Sequence, residues 1–272
     1  MKPFRITQPT GAETPVVVEV PHAGLSLFDG ETAALCAAPA RSIARDADLY
    51  VDDLYEDAPA EGATLIVAAT SRYVVDLNRA PSDVDADSVE GGGATPMPRG
   101  LVWRLSTEGD EALRAPLTTL ELERRLTQVY RPYHAALERI VAEKKQRFGY
   151  AVVLCAHSMP RRGRVGHGDA GTPRADVVPG TRGRTTASAS LIGAVDDVAR
   201  EARFSVRHDD PYRGGFTTQR WGTPAQLVHA VQVEIARSLY MDEETCRRDT
   251  RGFGKVRGFA RNLVARLGST RP

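Results

Sequence analysis

Cysteine is scarce in this chain: there are three in 272 residues, Cys36, Cys155 and Cys246, far apart and with no CxxC pair. That spacing argues against a disulfide scaffold and a cysteine zinc knot. Cys155, inside an apolar run, reads as a small core residue. Long hydrophobic runs are also missing. No uninterrupted apolar stretch approaches the ~18 residues of a membrane-spanning helix, and the opening MKPFRITQPTGAE has no apolar h-region. The expectation is a cytoplasmic protein without a membrane partner. Nor is there an excess of charge of either sign: 36 Lys plus Arg face 35 Asp plus Glu, a formal +1, so no global field points to nucleic acid. No linker divides the chain, and residues 1–272 read as a single domain. Compact motifs are lacking too. The glycines at 91–93 have no following Lys-Ser/Thr to make a phosphate-binding loop, and neither HxxE nor HExxH occurs.

What is present is organised around PVVVEVPHAG at 15–24. The β-branched run predicts a strand buried on both faces, as in parallel sheets. Pro21 cannot continue a ladder and Gly24 supplies a turn, so His22 emerges at a strand's carboxyl end, where open α/β sheets place ligands. The run AVVLCAHS at 151–158 repeats the design and delivers His157. Further strands are predicted over 63–69, 73–77, 204–207 and 227–235, and helices over 31–40, from 46 towards 55, 117–148 with a kink or split at Pro132, 186–202, from 238 towards 246, and 253–267. Residues 81–100 and 160–184 read as loops. In the second, the arginines have no interleaved aromatics to stack bases, so an active-site loop fits better than a nucleic-acid contact. The alternation predicts an α/β fold, a three-layer α/β/α domain with a mixed, mostly parallel sheet.

Two histidines and a carboxylate form the usual three-ligand catalytic zinc set, with one position left open for water. His22 and His157 are the histidine candidates, and Asp46, Asp48 and Asp76 all remain open as the third ligand. A water activated in such a site needs a base. Glu234 is the candidate, because period two sets it on one strand face with Val228, Ala230 and Gln232, where a carboxylate without a role or partner is costly. Asn78-Arg79, at an expected strand end, suits the binding of a substrate carboxylate through the arginine fork. Arg104, Arg213 and Arg220 are next in line for that task.

These residues sit in an ordered series of motifs that resembles the N-formylglutamate amidohydrolase family. The series is PHAG at 21–24, DADLYVDDLY at 46–55, SRYVVDLNRAP at 71–81, YRPYH at 130–134, AHS at 156–158, DVVPGTRG at 176–183, YRGGFTTQRWG at 212–222 and HAVQVEIARSLYM at 229–241. The resemblance implies the α/β core shared with zinc carboxypeptidases and a zinc-dependent hydrolase of N-formyl or related N-acyl amino acids. The small-molecule substrate expected is N-formyl-L-glutamate. It also implies His22, His157 and Asp48 as metal ligands, Glu234 as the catalytic glutamate and Asn78-Arg79 at the substrate carboxylate. Residues 83–116 depart from it by lacking an aromatic-rich loop. A broader N-acyl amino acid deacylase or a carboxypeptidase is therefore the enzymatic alternative, and a binding module on the same fold the non-enzymatic one.

Overall fold

A computed structural model describes residues 2–272. The first strand, β1 (Phe4–Thr7), is one the sequence pattern did not mark; it precedes β2 (Val16–Val20). Three short helices follow, α1 (Gly30–Leu35), α2 (Ala40–Asp46) and α3 (Val51–Leu54), and then β3 (Thr64–Ala68). The helix expected over 31–40 ends at Leu35, and Pro39 stands at the N-cap of the next helix, α2. Neither Asp46 nor Asp48 caps α3; its N-cap is Tyr50.

The predicted strand at 73–77 is instead a turn. The Asp76 side chain accepts the Asn78 N–H at 2.9 Å, and this local bond competes with an extended ladder. The long helical segment divides as expected near Pro132. Helix α4 (Thr119–Arg125) runs through a π-helical turn (Leu126–Tyr130) into α5 (Arg131–Phe148), with the proline at the start of α5 and Gly149 (φ 82°) closing it.

Strand β4 (Ala151–Met159) is followed by β5 (Val177–Gly180), which lies inside the segment expected to be loop up to 184. Next come α6 (Ala189–Glu201), α7 (Phe216–Trp221), β6 (Val228–Ala236) and α8 (Thr250–Ser269). Residues 204–207 make only a single bridge, Val206 to Val177. After β6 the chain forms a short 3-10 turn, Arg237–Leu239, and the expected helix at 238–246 gives way to α8, which Asp249 caps.

Among the described residues, six strands share one sheet in the order β1-β3-β2-β4-β6-β5. The central β3, β2, β4 and β6 are parallel, and the edges β1 and β5 are antiparallel. Side-chain alternation divides the core between the two faces. Val16, Val18, Leu154 and Val233 pack with Val195, Phe259 and Leu263 of α6 and α8. On the other face, Val17, Val153 and Ala230 pack with Tyr133, Leu137 and Ile140 of α5. The result is an α/β/α sandwich, each large aliphatic side chain contributing roughly 1.5–3 kcal/mol of burial. Because β2, β4 and β6 are parallel, their carboxyl ends lie at one end of the sheet, where the functional residues gather. Gly24 lets the loop after His22 press against the end of β3, since a Cβ there would stand 2.4 Å from the Ala69 carbonyl carbon. Among the described residues no helix is long and apolar enough to cross a membrane.

Candidate active site

His22, just past β2, and His157, near the end of β4, are both buried, and their rings lie 4.9 Å apart. Asp48, between α2 and α3, faces both: its Oδ2 lies 3.0 Å from His157 Nδ1 and 3.5 Å from His22 Nδ1. Backbone pairing fixes this approach, because the Asp48 N–H donates to the His22 carbonyl at 2.9 Å. Ligand atoms from His22, Asp48 and His157 all lie within 4.8 Å of one another, so the three could hold a metal ion. Burial opposes the charge on Asp48, but hydrogen bonds from His157 and His22 and the charge of Arg237 hold its carboxyl well below the usual range. For His157, burial disfavours the imidazolium, yet the Asp48 bond and the Glu234 charge outweigh it and raise its pKa.

The other two aspartates have different jobs. Asp76 lies on the far side of His22, with Oδ1 2.8 Å from Nε2, and it also accepts from Arg72 at 2.7 Å and from Trp103 Nε1 at 3.0 Å. Burial pushes its carboxyl up, and the charges of Arg72 and His22 bring it well below normal. A carboxylate behind a histidine in this way sets ring orientation and tautomer. Asp46 accepts from the Tyr73 hydroxyl at 2.6 Å and from the Thr107 N–H at 3.0 Å, which ties α2 to the 81–116 loop.

Glu234 and Gln232 share a face of β6, and Gln232 Nε2 donates to Glu234 Oε1 at 2.9 Å. Burial raises the Glu234 pKa, and the neighbouring Asp48 charge adds to that, against the opposing pull of His157 and Arg237. Asn78 is held rigidly: its Oδ1 accepts from both Thr217 N and Oγ1 at 3.0 Å, leaving Nδ2 towards His157 Nε2 at 3.3 Å and Gln232 Oε1 at 3.4 Å.

These groups line a cavity of about 350 Å³, which also receives seven arginines against three acidic residues. Five of the arginines are engaged: Arg45 by Glu108 and Glu244, Arg72 by Asp76, Arg99 by the Ser106 and Gly166 carbonyls, Arg164 by Asp46 and Arg237 by Asp48. Arg79 and Arg213 are exposed, and no side-chain hydrogen bond or ion pair occupies either guanidinium among the described residues. Their backbones are nevertheless anchored, the Arg79 carbonyl by the Tyr130 hydroxyl at 2.8 Å and the Arg213 carbonyl by the Arg182 N–H at 2.8 Å.

Arg104 and Arg220 depart from the sequence expectation. Arg104 pairs with Asp85 and Asp87, and Arg220 pairs with Glu138 and covers the Trp221 ring; neither lines the cavity. Conversely, sequence reasoning passed over Arg237, Gln232 and Ser158 as site residues. The available signal was position: Ser158 and Arg237 stand at the carboxyl ends of apolar strands, as His157 and Glu234 nearly do, and Gln232 shares the Glu234 face of β6 by period two.

The family model for N-formylglutamate amidohydrolase matches residues 14–241. An N-formylglutamate deformylase of Pseudomonas putida is 36% identical over 233 residues, covering 84% of this chain and 82% of that protein. One of Pseudomonas aeruginosa is 34% identical over 232 residues, covering 85% and 83%. The solved structure of an N-formylglutamate amidohydrolase from Ralstonia eutropha JMP134 superposes with a TM-score of 0.88 at 32% identity, over 98% of both chains. The chain therefore belongs to the N-formylglutamate amidohydrolase family, and it is an amidohydrolase acting on linear amides.

Proposed function

We propose that this protein hydrolyses N-formyl-L-glutamate to L-glutamate and formate, with zinc held by His22, Asp48 and His157. The observation that carries the substrate reading is the pair of unengaged cavity arginines: the substrate is a dianion, and Arg79 and Arg213 are the two guanidiniums free to take its two carboxylates. The remaining cationic lining favours the approach of an anion. The donor set, two buried imidazoles and a carboxylate, is the one catalytic zinc sites use. Zinc bound there supplies Lewis-acid polarisation of the amide carbonyl and makes water a stronger acid.

The chain's own residues do the rest. Glu234 takes a proton from the attacking water as the new C–O bond forms. It returns that proton to the departing nitrogen as the C–N bond breaks, so that the elements of water are added and nothing is oxidised or reduced. Its raised pKa suits both halves of the cycle. Gln232, bonded to Glu234 Oε1, orients the carboxylate, and Asn78 with Arg79 and Arg213 orients the substrate. Formate release from N-formyl-L-glutamate, measured beside N-formylglutamine and N-acetylglutamate together with the metal content of the protein, tests this reading. Equal rates on the three substrates would favour a broader deacylase, and bound ligand without turnover would favour a binding module.

A further inference from the structure

Asp48 turns a single oxygen to the two histidines because its other oxygen is held from behind. Oδ1 accepts from Arg237 Nη2 at 2.9 Å and from Ser158 Oγ at 3.3 Å. Ser158 Oγ in turn accepts from Arg237 Nε at 3.0 Å, Nη2 also reaches the Ser158 carbonyl at 3.3 Å, and Nη1 donates to the Arg45 carbonyl. All three nitrogens of this buried guanidinium are therefore used. The fork joins the end of β4, the end of β6 and the segment that carries Asp48.

We propose that Arg237 is a positioning residue that restricts Asp48 to one ligating oxygen. The inference rests on the metal reading above. A carboxylate free to rotate can present either oxygen or both, so the two imidazoles would lack a third donor fixed in place for a metal. Arg237 prevents this by binding Oδ1 in a rigid fork while its charge compensates a buried anion. Lysine would keep the charge but could not hold Asp48 and Ser158 together in a fixed plane.

The test is zinc affinity, read by competition with a chromophoric chelator, for wild type, Arg237→Lys and Ser158→Ala, with the melting temperature of each metal-free protein alongside. Arg237→Lys is expected to bind zinc about 10- to 100-fold more weakly at a nearly unchanged metal-free melting temperature, as outer-shell substitutions do, and Ser158→Ala to lose less. Cobalt-loaded Arg237→Lys should show altered visible bands, because Asp48 no longer presents one fixed oxygen to the metal. Wild-type zinc affinity and cobalt spectrum in Arg237→Lys would overturn the proposal. If that variant fails to fold, Ser158→Ala decides: an affinity equal to wild type overturns it, and a loss supports it. A wild-type protein that takes up no zinc overturns the metal reading itself, a result distinct from either.

Discussion

His157 and Glu234 are register partners on the adjacent parallel strands β4 and β6. Their side chains therefore leave the same face of the sheet, and a metal-ligand candidate and a base candidate become neighbours through strand pairing alone. Glu234→Gln keeps the shape and a hydrogen-bonding group but removes the proton carrier. A fall in kcat of roughly 10²-fold or more is expected, with zinc retained. Near-normal kcat would exclude Glu234 as the base, and lost zinc would make it a ligand.

His22→Ala and His157→Ala should each abolish stoichiometric zinc while the fold survives, because each removes one of three donors. Metal analysis with circular dichroism checks this. Full loading of either variant refutes the ligand set.

Arg79→Lys and Arg213→Lys should mainly raise KM for N-formyl-L-glutamate, since a point charge loses the two-pronged geometry. About tenfold each is expected for one weakened charged hydrogen bond. Steady-state kinetics decide: an unchanged KM in both variants would move carboxylate binding elsewhere.

Gly215→Ala is expected to damage the site through Asn78. A Cβ there would meet Asn78 Oδ1 and Nδ2 at 2.4 Å, and Thr217 already pins that amide from the other side. Displacing Asn78 by about 1 Å should lower kcat/KM by on the order of 10²-fold. Unaltered kinetics would show that Asn78 does not orient substrate.

Acid should destabilise the fold partly through His134. Burial pulls its pKa down from 6.5 to about 4, with the Arg220 charge adding to the shift. The folded value lies below the unfolded one, so the unfolded chain binds the extra proton; stability is full above about pH 6.5 and falls as pH drops towards 4. The loss at pH 5 is about 2 kcal/mol. Urea unfolding at pH 7.5 and pH 5 should show a smaller difference in His134→Phe than in wild type, and equal differences would contradict the assignment.

The sequence by itself determined what depends on local pattern. β-branched runs ended by proline or followed by a histidine specified β2 and β4, and with them the emergence of His22 and His157 at strand ends. The period-two setting of Glu234 could be read in the same way, because alternation is a property of any extended chain. Only the tertiary structure decided between residues whose local surroundings look alike. Asp46, Asp48 and Asp76 are all aspartates in or beside irregular segments, and long-range pairing sends one to both histidines, one behind His22 and one to Thr107. Arg79 and Arg213 face the cavity, whereas Arg104 and Arg220 lie outside it, each held by a distant carboxylate. The turn at 73–77 is a local matter, stabilised by the Asp76 side chain two residues before Asn78, whereas the edge strands β1 and β5 escaped the pattern because each depends on a partner elsewhere in the chain.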